Sequence, residues 1–144
     1  ADRADLCRTL AERWGARSLS GIEQLASWVA AGEECQTHNG LGCVLLDSTA
    51  SGELGPLVQR AAGHGRRLVL FVPPSPRLAY DLGLAGMALD ERHVVVAEAY
   101  HRQDLQPLSW PALSQRPESE YHRLNGWRAI ASLSGQPRAI HIPR

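Results

Sequence analysis

The stretch Asp47-Ser48-Thr49-Ala50-Ser51-Gly52-Glu53-Leu54 comes nearest to a recognisable piece of chemistry in this sequence. It follows a short apolar run and precedes a helical pattern, the setting in which a chain cradles phosphate. Laid on the phosphate-loop pattern G-x-x-x-x-G-K-[ST], only Gly52 fits. Asp47 replaces the first glycine, Glu53 the lysine, and Leu54 the hydroxyl that holds magnesium. A carboxylate where an ammonium should meet the β- and γ-phosphates repels them. All fifteen basic residues are arginine, and the sequence contains no lysine. Every mechanism that needs a lysine ammonium within the chain is thereby excluded: a working phosphate loop, a Schiff base and the lysine of a phosphorylated receiver domain.

Other chemistries find less. Cys7, Cys35 and Cys43 are an odd set in a mid-sized chain, which fits free thiols in a reducing compartment. Cys35, His38 and Cys43 lack the fourth ligand and the spacing of a zinc site, so no metal is expected. His93, His101, His122 and His141 show no ligand spacing. Ser48 and Ser51 lack the G-x-S-x-G elbow of a hydrolase. No catalytic residue and no cofactor are expected.

The elements that must position this loop follow from periodicity and punctuation. Leu6, Leu10 and Trp14 are spaced as on a helix that Gly15 stops. Ser20 with Glu23 three residues on reads as a capping box, opening a helix whose buried stripe is Ile22, Leu25, Ala26 and Val29. Residues 33–42 read as a loop. Cys43 to Leu46 is an apolar run suited to a strand buried on both faces. A turn over Ser48 to Gly52 leads into a helix carrying Leu54, Leu57, Val58 and Ala61, ended by Gly63 and Gly65. Leu68 to Val72 is a second strand, broken by Pro73 and Pro74. A helix from Arg77 to Leu84, closed by Gly86, precedes a third strand, His93 to Ala97. Pro107, Pro111 and Pro117 make 107–120 an irregular connection. Glu118 to Ser132 places Tyr121, Leu124, Trp127 and Ala131 at helical spacing, and Ala139 to Ile142 alternates like a terminal strand.

Strands alternating with helices predict one α/β domain over 1–144, with a mostly parallel sheet between helical layers. A length of 144 residues is enough to bury a core, and 44% hydrophobic with 21% charged residues is globular composition. Fifteen acidic residues balance the fifteen basic ones, and neither sign runs in a block. That balance argues against direct nucleic-acid binding and against an anionic membrane surface. No apolar run approaches the roughly 20 residues that span a bilayer, and no basic-then-apolar leader opens the sequence.

The order from Cys43 to Val96 resembles the core of a RecA-type ATPase: strand, phosphate-loop-sized turn, helix, strand, helix, then Gly86, Leu89 and Asp90 before another strand. Within that superfamily it is most similar to lineages whose phosphate loop has decayed, the SulA-type division inhibitors and ImuA-type mutagenesis proteins. The run Leu68–Phe71 with Pro73-Pro74, the segment Arg77–Gly86 and the strand Val94–Val96 carry the likeness. The closing stretch 123–144 resembles the family's final helix, turn and strand, whereas 101–117 is short for the family's unit at that place.

The resemblance implies a RecA-like, three-layer α/β fold without nucleotide catalysis. It also implies a bacterial, cytoplasmic protein of the SOS response to DNA damage. Its partner would be the division GTPase FtsZ for a SulA-like inhibitor, or a recombinase or translesion polymerase for an ImuA-like adaptor. The chain ends just after its last strand, as expected for the inhibitor, and a homodimer is left open. Two alternatives use the same elements: a pseudo-receiver with Asp47 in the phospho-acceptor place, and a small-ligand-binding α/β domain. In all of these the loops at the carboxyl ends of the strands are the functional edge. The degenerate loop there comprises Asp47, Gly52 and Glu53. The expected partner surface comprises Pro73, Pro74, Arg77, Tyr80 and Leu84, in which Arg and Tyr are the types that dominate interface energies.

Overall fold

A computed structural model of the chain describes residues 3–31, 40–48, 52–73, 78–84, 95–98, 117–121, 123–133 and 136–142. These fall into two compact units, one of residues 3–73 with 80–87, the other of 74–79 with 88–144 and the first two residues.

The first unit begins with helix α1 (Arg3–Trp14), strand β1 (Arg17–Ser20), helix α2 (Gly21–Ala30) and strand β2 (Leu41–Leu45). Helix α3 (Leu54–Gly63), strand β3 (Arg67–Phe71) and most of helix α4 (Leu78–Leu84) follow. The sheet order is β1-β2-β3 and both pairings are parallel, with Ser18 beside Cys43 and Cys43 beside Val69. In this unit the parallel sheet expected from strands alternating with helices is present.

Side-chain alternation decides which helix covers which face. Val44 and Leu46 of the central strand join Leu19, Leu25, Trp28, Val29, Leu54, Leu57 and Ala61 in one buried cluster under α2 and α3. Leu68, Leu70 and Val72 pack against its side. The opposite face belongs to α1, which packs on β1 and β2 and buries Leu6, Cys7, Leu10 and Ala11. The sheet thus lies between two helical layers. Each fully buried leucine or valine contributes about 1.5–3 kcal/mol, so the two-helix side holds most of the apolar stabilisation.

The chain enters two of the strands by the same device. Helix α1 ends with Gly15 at φ 64°, where the Gly15 N–H donates to the Glu12 carbonyl and the Ala16 N–H to the Ala11 carbonyl. Helix α3 ends with Gly65 at φ 72°, where the Gly65 N–H donates to Ala62 and the Arg66 N–H to Ala61. Both are Schellman closures, and only glycine takes the left-handed backbone without strain. The next residue, Ala16 or Arg66, is buried in each case, and the strand starts immediately after it. Arg66 spreads its guanidinium over the Trp28 ring, 4.3 Å from the centroid. Arginine can be buried here because its planar face stacks on the indole.

Several expectations need correction. Arg17–Ser20 is a strand that the sequence reading lacked, and Ser20 makes no side-chain cap bond to α2. Instead the Ser20 N–H donates to Gln24 Oε1 at 2.8 Å, so Gln24, not Glu23, closes the turn. Trp14 is 43% exposed and does not extend the Leu6–Leu10 stripe. Gly42 is strand, not loop: a Cβ there would sit 2.9 Å from Trp28, so glycine is what lets the indole lie against the sheet. Strand β3 is only half-buried over Leu68, Val69 and Leu70, because it pairs on one side only among the described residues.

The second unit is built differently. Strand β4 (Val95–Glu98), short helix α5 (Glu118–Tyr121), strand β5 (Asn125–Leu133) and strand β6 (Gln136–His141) form an antiparallel sheet of order β4-β5-β6. The expected third strand exists but joins this sheet, Val95 beside Ala131, and not the parallel one. The helix expected over Glu118–Ser132 stops at Tyr121, and from Asn125 the chain is β5. Trp127, Ala129, Ile130 and Ala131 are buried while Arg128 is exposed, and pairing with β4 on one side and β6 on the other makes the segment a strand despite its helical spacing. The expected terminal strand is present as β6, with Ala131 beside Arg138 and Leu133 beside Gln136. The irregular connection expected over 107–120 falls outside the described residues as far as 116.

Candidate functional site

The parallel ladder brings three strand ends into line: Ser20 of β1 lies beside Leu45 of β2, and Leu45 beside Phe71 of β3. The Leu46 N–H donates to the Phe71 carbonyl at 3.0 Å and carries the pairing one step further. Beyond this line the chain leaves the sheet as Gly21, as Asp47-Ser48 and as Val72-Pro73. Open parallel sheets bind their ligands at such an edge, because the loops there are exposed and positioned by a buried scaffold.

The residues at this edge are acidic and polar. Asp47 and Ser48 are exposed where β2 ends, Gly52 and Glu53 are exposed where α3 begins, and Pro73 is half-buried beyond β3. Glu53 is the residue before α3 and has helical backbone angles, φ −86° and ψ −22°, with no side-chain cap bond. Its carboxylate lies at the positive end of the helix dipole, a favourable placement for an acid. The same placement fills with negative charge the position from which a lysine would reach phosphate. Asp47 and Pro73 stand at the ends of adjoining strands, so the loop of Asp47, Gly52 and Glu53 shares one edge with the first residue of the expected partner surface. Gly21, with φ 83°, also belongs to this edge. The polar four-residue β1 carries no apolar run that would have revealed it.

Of the other expected partner residues, Tyr80 is on α4 and 59% exposed, the most open large hydrophobic side chain described. Leu84 is the last residue of α4. Pro74 and Arg77 lie outside the described residues, as do Cys35, His38, Trp110 and His93, His101 and His122. Trp127 is 8% exposed and belongs to the antiparallel sheet's buried side chains. Among the described residues no group of three or more His, Cys, Asp or Glu is arranged to hold a metal ion. No helix among them is long and apolar enough to cross a membrane.

The two described thiols, Cys7 and Cys43, are buried. Burial pushes the Cys43 thiol up from 9.0 to about 11, and the neighbouring Cys7 adds to the rise. Burial raises Cys7 too, against a hydrogen bond with the Ser18 side chain that lowers it. Thiols held protonated in this way are poor nucleophiles.

Comparison with protein-family models, with curated proteins and with solved structures finds no match to this chain.

Proposed function

We propose that this chain is a non-catalytic, RecA-like protein-binding domain of the bacterial cytoplasm, acting as a SulA-like inhibitor of FtsZ. The reading rests on the sequence resemblance together with one observation: the carboxyl edge of the parallel sheet carries exposed Asp47 and Glu53 where a phosphate loop carries glycine and lysine. An edge of that charge is unsuited to nucleotide phosphates, and exposed residues set at the ends of buried strands suit a protein partner. Exposed Tyr80 supplies an anchor of the kind that dominates interface energies.

The test is a binding titration of purified FtsZ against the wild-type chain and the Tyr80→Ala variant, with melting temperatures recorded alongside. Binding by the wild type, weakened by about 1–3 kcal/mol in Tyr80→Ala at unchanged melting temperature, supports the reading. Absence of FtsZ binding refutes the inhibitor. Binding to a bacterial recombinase or translesion polymerase in a parallel titration would select the ImuA-like adaptor role instead.

A further inference from the structure

Cys7 and Cys43 take no part in the edge described above, yet the fold places them together. Gly42 faces Trp28 of α2, so by strand alternation Cys43 points the other way, into the layer beneath α1. Cys7 lies on the buried stripe of α1 with Leu6, Leu10 and Ala11. Ser18 is level with Cys43 on the neighbouring strand and hydrogen-bonds the Cys7 thiol. Cys7 in turn acts electrostatically on Cys43. The two thiols, 2% and 0% exposed, therefore both lie in the layer where the N-terminal helix packs on the central strand.

We propose that Cys7 and Cys43 are a redox pair that a small peroxide-class oxidant closes into a disulfide, stapling α1 to β2. One thiolate attacks a peroxide oxygen. The O–O bond breaks, water leaves and a sulfenic acid forms. The second thiol then attacks that sulfur, the S–S bond forms, the S–O bond breaks and a second water leaves. Two thiols are oxidised and one peroxide is reduced to two waters. Because the thiols are held protonated, the reaction is slow near neutral pH and accelerates as pH rises. Linking residues 7 and 43 restricts the unfolded chain, so the oxidised form is the more heat-stable one.

The experiment uses the full chain carrying Cys35→Ser, so that only the two buried thiols remain. The folded protein is treated with hydrogen peroxide and followed by intact mass, a non-reducing peptide map and thermal melting. The expected result is loss of two hydrogens, a Cys7–Cys43 linked peptide, and a melting temperature that rises and returns on reduction. Adding Cys7→Ala or Cys43→Ala should abolish the link and leave oxygen on the remaining sulfur. Two oxygenated but unlinked cysteines would overturn the proposal. So would a link that forms only after unfolding in urea, or one that lowers the melting temperature.

Discussion

Among the described residues, three strands build each of the two units, with opposite logic. In the first, parallel strands are separated by α2 and α3, and their carboxyl ends converge on one edge. In the second, β5 pairs antiparallel with strands on both sides, and β6 follows it after two residues. Parallel pairing demands long crossovers and so gathers loops at one edge, where chemistry or recognition can be placed. Antiparallel pairing needs only turns and spends its residues on the ladder itself. A functional edge is accordingly expected of the first unit.

The largest expected effects test whether each unit has its own core. Leu25→Ala under the parallel sheet and Ile130→Ala in the antiparallel sheet, 0% and 1% exposed, should each cost about 2–5 kcal/mol in denaturant unfolding. Unfolding that shows two transitions, each moved by only one substitution, sharpens the contrast between units. A single transition moved by both joins them into one cooperative body.

Next comes the close approach inside the parallel unit. Gly42→Ala places a methyl group 2.9 Å from Trp28 Cζ3, 3.0 Å from its Cη2 and 3.2 Å from Leu68 Cδ2. The indole cannot simply swing aside, since Arg66 lies over its ring. A loss of about 1–3 kcal/mol follows, measured by chemical denaturation. A neutral result would mean that Trp28 does not lie against the sheet.

A pH titration addresses the other face of the same sheet. The folded state raises the thiol of Cys43, so it keeps a proton that the unfolded chain releases. That contribution is complete below 9.0 and is lost as pH rises towards about 11. Stability should therefore fall across this window, and less steeply in Cys43→Ala. Equal slopes in the two proteins would remove the thiol from the dry layer beneath α1. The smallest stability effect is that of Tyr80→Ala, within about 0.5 kcal/mol because the side chain is exposed.

The parallel unit was more legible than the antiparallel one for a physical reason. Strands β2 and β3 are runs of aliphatic residues bounded by glycine, proline and polar turns, and such runs have few alternatives. Helix α3 announced itself through Leu54, Leu57 and Ala61 and through Gly65, which takes the backbone that ends it. Strand β1 escaped because Arg-Ser-Leu-Ser has one apolar residue, and its place comes from pairing with β2 alone. Strand β5 was misread because Tyr121, Leu124, Trp127 and Ala131 satisfy a helical period. Its pairing with β4 and β6, contacts distant in sequence, resolves the choice. At the site, Asp47 and Glu53 were legible as the residues beyond the strand end and before the helix start. The alignment of Ser20, Leu45 and Phe71 depends on strand register, which no single segment encodes.

Exposed carboxylates make the edge of Asp47, Gly52 and Glu53 unsuited to nucleotide phosphates. Calorimetric titration of the full chain with magnesium-ATP tests it most directly. No saturable heat is expected for the wild type, and none for Glu53→Lys either, because Asp47 and Leu54 still depart from the phosphate-loop pattern. Saturable binding at micromolar ATP by the wild-type chain would contradict it.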